Sequence, residues 1–223
     1  MGATKKKQRT TKKAPTVRRK TAARPAPKNP RKALVRDRLL EKAAELFCTS
    51  GYARTSINDI ADSLDLKRSS VYHYFKNKEE IISALFDDEI TRRCNSILEL
   101  FEQKELTPTE RLIRAVTDGI ILRLRAGSRF LVFDRTESEV PEDIRRNYTR
   151  SRRQILDLYT RLIADGVKAG EFRDVDVQMA AFAVIGMSNW TALWYSPSGN
   201  KTPQEIARIL GGHRHPRLEP PGR

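Results

Sequence analysis

Beyond Lys32, apolar residues recur along most of the chain at three- and four-residue steps, the spacing of one helical face. From Ala33 to Ser50 the stripe is Leu39, Leu40, Ala43, Leu46 and Phe47, and Gly51 stands where a helix would close. Ile57, Ile60, Ala61 and Leu64 mark a short second helix. Ser56 is its expected N-cap, supported by Asp59 three residues later. Asp65-Leu66 interrupts, and a third helix is predicted from Lys67 to Phe75 with Val71 and Phe75 inward. Asn77 and Glu80 form a capping pattern for a fourth. Its face of Ile81, Ile82, Leu85, Ile90, Cys94, Ile97, Leu98 and Phe101 runs on to about Gln103. At ~1.5 Å per residue that helix reaches roughly 38 Å, enough to join a small domain to a second one.

The second half repeats the pattern. Thr107-Pro108-Thr109-Glu110 is a capping box with proline in the first turn, followed by Ile113, Val116, Ile120 and Leu124 at helical spacing. Gly127 breaks this run, and Phe130-Leu131-Val132-Phe133 is a short apolar segment. Pro141, Glu142 and Asp143 suit a helix start; Ile144, Tyr148, Ile155, Tyr159, Leu162 and Ile163 carry that helix towards Gly170. Asp176 is placed to cap the next, in which Ala180, Ala183, Met187, Trp190 and Trp194 share a face. Thr202-Pro203-Gln204-Glu205 opens a last helix through Leu210. No stretch alternates as a strand, so the expected fold is all-α: a three-helix head followed by a helical bundle. The boundaries read as a basic arm over 1–32, a head over 33–80, a second domain over 81–212 and a tail over 213–223.

Charge changes the picture at the N-terminus. The net charge is +15, from 43 Lys and Arg against 28 Asp and Glu. Thirteen of the basic residues and no acidic one fall within Met1–Lys32, so the rest of the chain is close to neutral, with 30 basic against 28 acidic. The arm has too few apolar residues to offset chain entropy and is expected to be disordered. It either neutralises DNA phosphates or only solubilises the chain. No run is long and apolar enough to span a membrane, and the N-terminus lacks the apolar core of a secretory signal. Cys48 and Cys94 read as buried or half-buried thiols of a cytoplasmic protein.

Two helices joined by a tight turn, the second offering basic and hydrogen-bonding side chains, suit a DNA-reading helix-turn-helix. Lys67, Arg68, Ser69 and Ser70 are placed for phosphates or base edges. Tyr72 and His73 either face DNA or, respectively, pack against the first helix and stand in solvent. Lys78 opens the fourth helix, where backbone N–H groups also favour a phosphate. Thr55 either donates to a phosphate or serves the turn. Gly51-Tyr52, Thr55, Ile60-Ala61, Ser70-Val71-Tyr72-His73-Tyr74-Phe75 and Lys78-Glu79-Glu80-Ile81 together resemble the signature of TetR-family transcriptional regulators, over about Arg36 to Leu85. The resemblance implies a phosphate contact for Thr55 and a fourth helix that passes ligand-driven motion to the DNA head. It departs from the family at Lys67, where Ser or Thr is common; the usual cap is absent, and Lys67 is expected to reach a phosphate.

The helix from Asp176 to Tyr195 is apolar on more than one side, so either it is the buried centre of a monomer or, as expected, a second subunit lies against it; a homodimer would read a palindromic double-stranded operator. The resemblance implies that this helix and the last one form the dimer's four-helix bundle. Phe130, Phe133, Tyr148, Asn189, Trp190 and Trp194 are the candidate lining of an effector pocket between helices, although an aromatic residue at helical spacing is more often core. The segment Gly186-Met187-Ser188-Asn189-Trp190 through Trp194-Tyr195-Ser196-Pro197 resembles the TetR subgroup that controls fatty-acid or steroid breakdown, which implies an acyl-CoA effector. Arg123, Arg125 and Arg129 are the expected partners of its anionic end. There is no P-loop, nucleophile elbow, H-E-x-x-H or paired-cysteine motif, so no enzyme, cofactor or metal is expected. The competing reading is an architectural DNA binder dominated by the arm, with strong salt dependence and little sequence preference.

Overall fold

The computed structural model describes residues 30–212, and every regular element in them is helical. The arm lies outside these residues except for Pro30, Arg31 and Lys32, which open the first helix, and so does the tail over 213–223. The head is built from α1 (Pro30–Ser50), α2 (Ile57–Asp62) and α3 (Arg68–Tyr72). Helix α4 (Lys78–Glu102) leads away from it. The second part holds α5 (Pro108–Ala126), α6 (Ser128–Thr136), α7 (Glu142–Lys168), α8 (Val177–Trp194) and α9 (Pro203–Leu210).

Local chemistry sets most boundaries. Ser56 accepts from the Asp59 amide while the Asp59 carboxylate accepts from the Ser56 amide, closing the capping box of α2. Thr107 with Glu110 and Thr202 with Glu205 do the same for α5 and α9, each with proline in the first turn. Asn77 caps α4 through the Glu80 amide, but the Glu80 carboxylate reaches one residue further back, to the Lys76 amide. Helix α3 is shorter than the predicted Lys67–Phe75. Lys67 sits at its N-cap with no side-chain hydrogen bond, and His73 already ends it. Asp65 takes a positive φ of 54°, which makes the tight turn between α2 and α3.

Leu39, Leu40, Ala43 and Phe47 of α1 close over Ile60, Ala61, Val71 and Phe75 in the core. This core continues through Ile81, Ile82 and Leu85 into α4. The head is also clamped to the second part. Arg36 of α1 pairs with Asp88 of α4 at 2.8 Å, Arg129 of α6 pairs with Asp37 of α1, and the Ala53 amide donates to Glu139 at 2.6 Å. Gly51, at φ 88°, turns the chain out of α1 beneath that carboxylate; a Cβ there would meet Glu139 Oε1 at 3.1 Å. Gly127, at φ 52°, turns the chain sharply between α5 and α6, and the apolar run Phe130–Phe133 follows as helix α6 with Phe130, Val132 and Phe133 buried. Both cysteines are free, Cys94 buried and Cys48 half-buried, its thiol against the Ser128 carbonyl at 3.5 Å.

Candidate nucleic-acid interface and effector cleft

Val71 in α3 and Phe75 just beyond its end are anchored in the core, and this burial turns the rest of the helix outward. Lys67, Arg68, Ser69 and His73 are exposed, Ser70 is half-buried, and Tyr72 is 41 % exposed. The Arg68 guanidinium donates to the Tyr72 hydroxyl from Nε (3.2 Å) and from its terminal nitrogen (2.9 Å), and it lies over the phenol ring. These two side chains thus present one joint donor surface on a convex helix.

Two expected DNA contacts have other duties. Thr55 is only 3 % exposed, and its hydroxyl donates to the Gly51 carbonyl at 2.8 Å. It ties the turn after α1 and is not available at the surface. The Lys78 ammonium donates to the Tyr52 carbonyl at 2.6 Å and sits 4.2 Å from the Tyr52 ring centroid. Its charge is turned back onto the head.

The second candidate site lies between α4, α7 and α8. It is a cleft of about 410 Å³ whose walls include Arg93, Arg152, Arg153, Phe182 and Asn189. Beside it Phe86, Phe133 and Tyr148 stack with centroids 4.1–5.3 Å apart, and the Arg152 guanidinium lies over Phe133 and Tyr148. Phe130 has the Arg93 guanidinium 5.9 Å and that of Arg123 4.9 Å from its ring centroid. Arg93 is buried and paired with Glu89 at 3.3 Å, one turn away on α4. Arg123 is 2 % exposed and donates to the backbone carbonyls of Gly119 and Ser188 at 3.0 and 3.2 Å. Burial, with the neighbouring charge of Arg93 adding to it, lowers the Arg123 pKa to about 10, so it stays cationic at neutral pH. The Tyr148 hydroxyl is held neutral by burial. Among the buried polar atoms with no hydrogen-bond partner are Arg123 Nε, Glu89 Oε2, Ser188 Oγ and Asn189 Oδ1.

Of the expected lining Asn189 stands in the cleft wall, while Phe130, Phe133 and Tyr148 are buried in the core beside it. Trp190 and Trp194 are in neither place. They are 65 % and 51 % exposed and share the outer face of α8 with Met179, Phe182, Met187 and Leu193. The inner face of α8 is made of small residues, Ala181, Ser188 and Thr191, which let it approach α5 and α7 closely and turn the large rings out. Arg125 is exposed on another surface, and Arg129 is engaged with Asp37 of the head. Arg93, Arg152 and Arg153 were not expected at the site. Arg93 carried a readable signal, because a Glu–Arg pair four apart interrupts the apolar stripe of α4.

A three-helix head with an exposed second reading helix, joined through one long helix to an all-helical body with an internal cleft, defines the class of one-component helix-turn-helix DNA-binding regulators. Residues 39–85 match the family model for bacterial regulatory proteins of the tetR family, and residues 105–212 match a tetracyclin repressor-like C-terminal domain. The chain belongs to the TetR family of transcriptional regulators. It is 27 % identical over 188 residues to the HTH-type transcriptional repressor KstR2 of Mycobacterium tuberculosis, covering 79 % of this chain and 92 % of the relative. The structure is similar to that of the TetR-family regulator PfmR from Thermus thermophilus, with TM-score 0.71 and 28 % identity over 78 % of this chain and 95 % of that one. It is also similar to AibR, solved in complex with isovaleryl coenzyme A and operator DNA, with TM-score 0.66 and 26 % identity over 79 % and 96 % of the two chains.

Proposed function

We propose that this regulator is a homodimeric repressor that leaves a palindromic operator when a small hydrophobic acyl-CoA fills the cleft between α4, α7 and α8. The observation that carries this reading is Arg93. It stands in the cleft wall, and it belongs to α4, the same helix that starts at the reading head. An effector that contacts Arg93 therefore contacts the element that sets the position of the head. The exposed arginines of the cleft, Arg152 and Arg153, suit the phosphates of coenzyme A, and its apolar lining of Ile155, Leu156, Phe182 and Ile185 suits an acyl chain. KstR2 and AibR support the ligand class by their own chemistry: one is a ketosteroid regulator, the other was solved with an acyl-CoA.

On the DNA side, Arg68 and Tyr72 read bases, with Lys67, Ser69, Ser70 and His73 on phosphates or base edges. The dimer forms across the outer face of α8 with α9 and sets two heads ~34 Å or a multiple of it apart. The protein works in the cytoplasm on double-stranded DNA. Among the described residues no helix is long and apolar enough to cross a membrane, and no cluster of three or more His, Cys, Asp and Glu could hold a metal.

The test is a footprint on the DNA flanking the protein's own gene, with and without CoA thioesters. A protected inverted repeat that is lost on adding thioester supports the reading. Protection with no preferred sequence would instead identify the architectural binder, and an inverted repeat indifferent to every thioester would remove this effector class.

A further inference from the structure

The charge inside the second part does not balance. Among the described residues Arg93 has a carboxylate, that of Glu89, but Arg123 has none. Both acceptors given to Arg123 are neutral carbonyls, and its Nε is unpartnered although the residue is almost wholly buried. The groups that act electrostatically on it are Arg93, Glu89, Tyr148 and Tyr159, and the last two are neutral phenols. The buried layer around Phe130 therefore carries one uncompensated positive charge. Leaving a guanidinium buried without a counter-charge is strongly unfavourable, and natural proteins keep such an arrangement where something else completes it.

The position of this charge says what completes it. It lies beside the cleft and not in its wall: Arg93 is in the wall, Arg93 and Arg123 both approach the Phe130 ring, and Ser188, whose carbonyl Arg123 holds, precedes cleft-lining Asn189. Ser188 Oγ and Asn189 Oδ1 are also buried and unpartnered, so hydroxyl and amide groups are free to turn towards a ligand. The coenzyme end of a thioester is accounted for by the outer arginines, and an ordinary acyl chain ends in a methyl group. A methyl group would satisfy none of these inner polar atoms.

Resting on the acyl-CoA reading above, we propose that the effector's acyl chain ends in a carboxylate, the monothioester of a dicarboxylic acid, whose free carboxylate is received between Arg123 and Arg93 with the Ser188 hydroxyl and Asn189 beside them. The outer arginines hold one anionic end and the inner guanidinium the other, so the cleft selects acyl groups by their far end.

The experiment compares chain-matched pairs on operator DNA: butyryl-CoA with succinyl-CoA, hexanoyl-CoA with adipoyl-CoA, octanoyl-CoA with suberoyl-CoA. The concentration that releases half of the complex is read by fluorescence anisotropy. A carboxylate fully paired with a buried guanidinium favours the diacid thioester by ~10-fold or more within at least one pair. The variant Arg123→Met is expected to abolish that preference by weakening the diacid member, while Arg123→Lys keeps part of it. Equal action within every pair, or a preference for the unsubstituted chain, overturns the carboxylate and leaves the acyl-CoA reading standing. Silence of all six compounds overturns the diacid thioester, while the acyl-CoA reading itself falls only if every thioester in the footprint is silent. If Arg123→Met fails to fold, the wild-type comparison decides alone.

Discussion

On the dimer proposed above, replacing Trp190 with alanine should separate the subunits without harming either one. The ring lies on the outer face of α8, where Met187, Trp194 and Leu210 border the same shallow apolar recess. At 65 % exposure the side chain leaves roughly 160 Å² in water, taking the upper range of area for a tryptophan. Covering that area is worth about 4 kcal/mol at ~25 cal/mol per Å². Association costs absorb part of this, and about 2 kcal/mol is the threshold for a central aromatic residue in an interface. A twofold axis doubles every substitution, so Trp190→Ala removes at least about 4 kcal/mol from the dimer, ~10³-fold in its dissociation constant. Sedimentation equilibrium across nanomolar to micromolar protein measures this directly. The far-ultraviolet circular dichroism of the variant should match the wild type, because the single chain does not use the ring in its core. A variant that dissociates over the same concentration range as the wild type would place the dimer face elsewhere. A variant that loses its helical signal would mean that the ring is part of the core.

Three further outcomes test other parts of the reasoning. Tyr72→Ala should lower specific operator binding by ~10- to 100-fold in an anisotropy titration, because it removes a reading group and frees Arg68, while unfolding remains unchanged. Thr55→Val keeps the shape of a buried side chain but leaves the Gly51 carbonyl without its hydroxyl donor; it should cost about 1–2 kcal/mol in urea unfolding and leave operator preference intact in the folded fraction. Asp59, Glu171 and Glu205 have carboxyls held below the ordinary range by hydrogen bonds to Ser56, Thr109 and Thr202. A depressed folded-state pKa gives stability that is present above the unfolded value and is lost as pH falls through the folded one. The melting temperature should therefore drop as pH falls below the ordinary carboxyl range, and Asp59→Asn with Glu205→Gln should flatten that drop.

Helix by helix, what could be read in advance was what depends on neighbours in sequence. Ser56, Thr107 and Thr202 were legible as caps because each needs only a partner three residues on. The long α4 was legible because its apolar stripe has a single period over 25 residues. The reading helix was legible through Val71 and Phe75, which show its inward side and so its outward one. Function at the level of family followed from the same local phrase, since its residues are closely spaced along the chain.

Other assignments depended on which surfaces meet. Thr55 and Lys78 have side chains able to reach a phosphate, and both are taken by the turn after α1, a partner too distant for spacing to reveal in the case of Lys78. The tryptophans of α8 were expected in the effector pocket, because that helix is apolar nearly all round and its pattern does not say which face turns inward. Only the packing of its small residues against α5 and α7 turned the rings outward. Arg123, one of three arginines expected to meet the effector's anionic end, became the inner charge when α5, α6 and α8 closed around it. Hydrogen bonds within a turn of helix are specified by the residues that make them. Burial and the pairing of charges are properties of an enclosure, and the enclosure exists only when distant segments have come together.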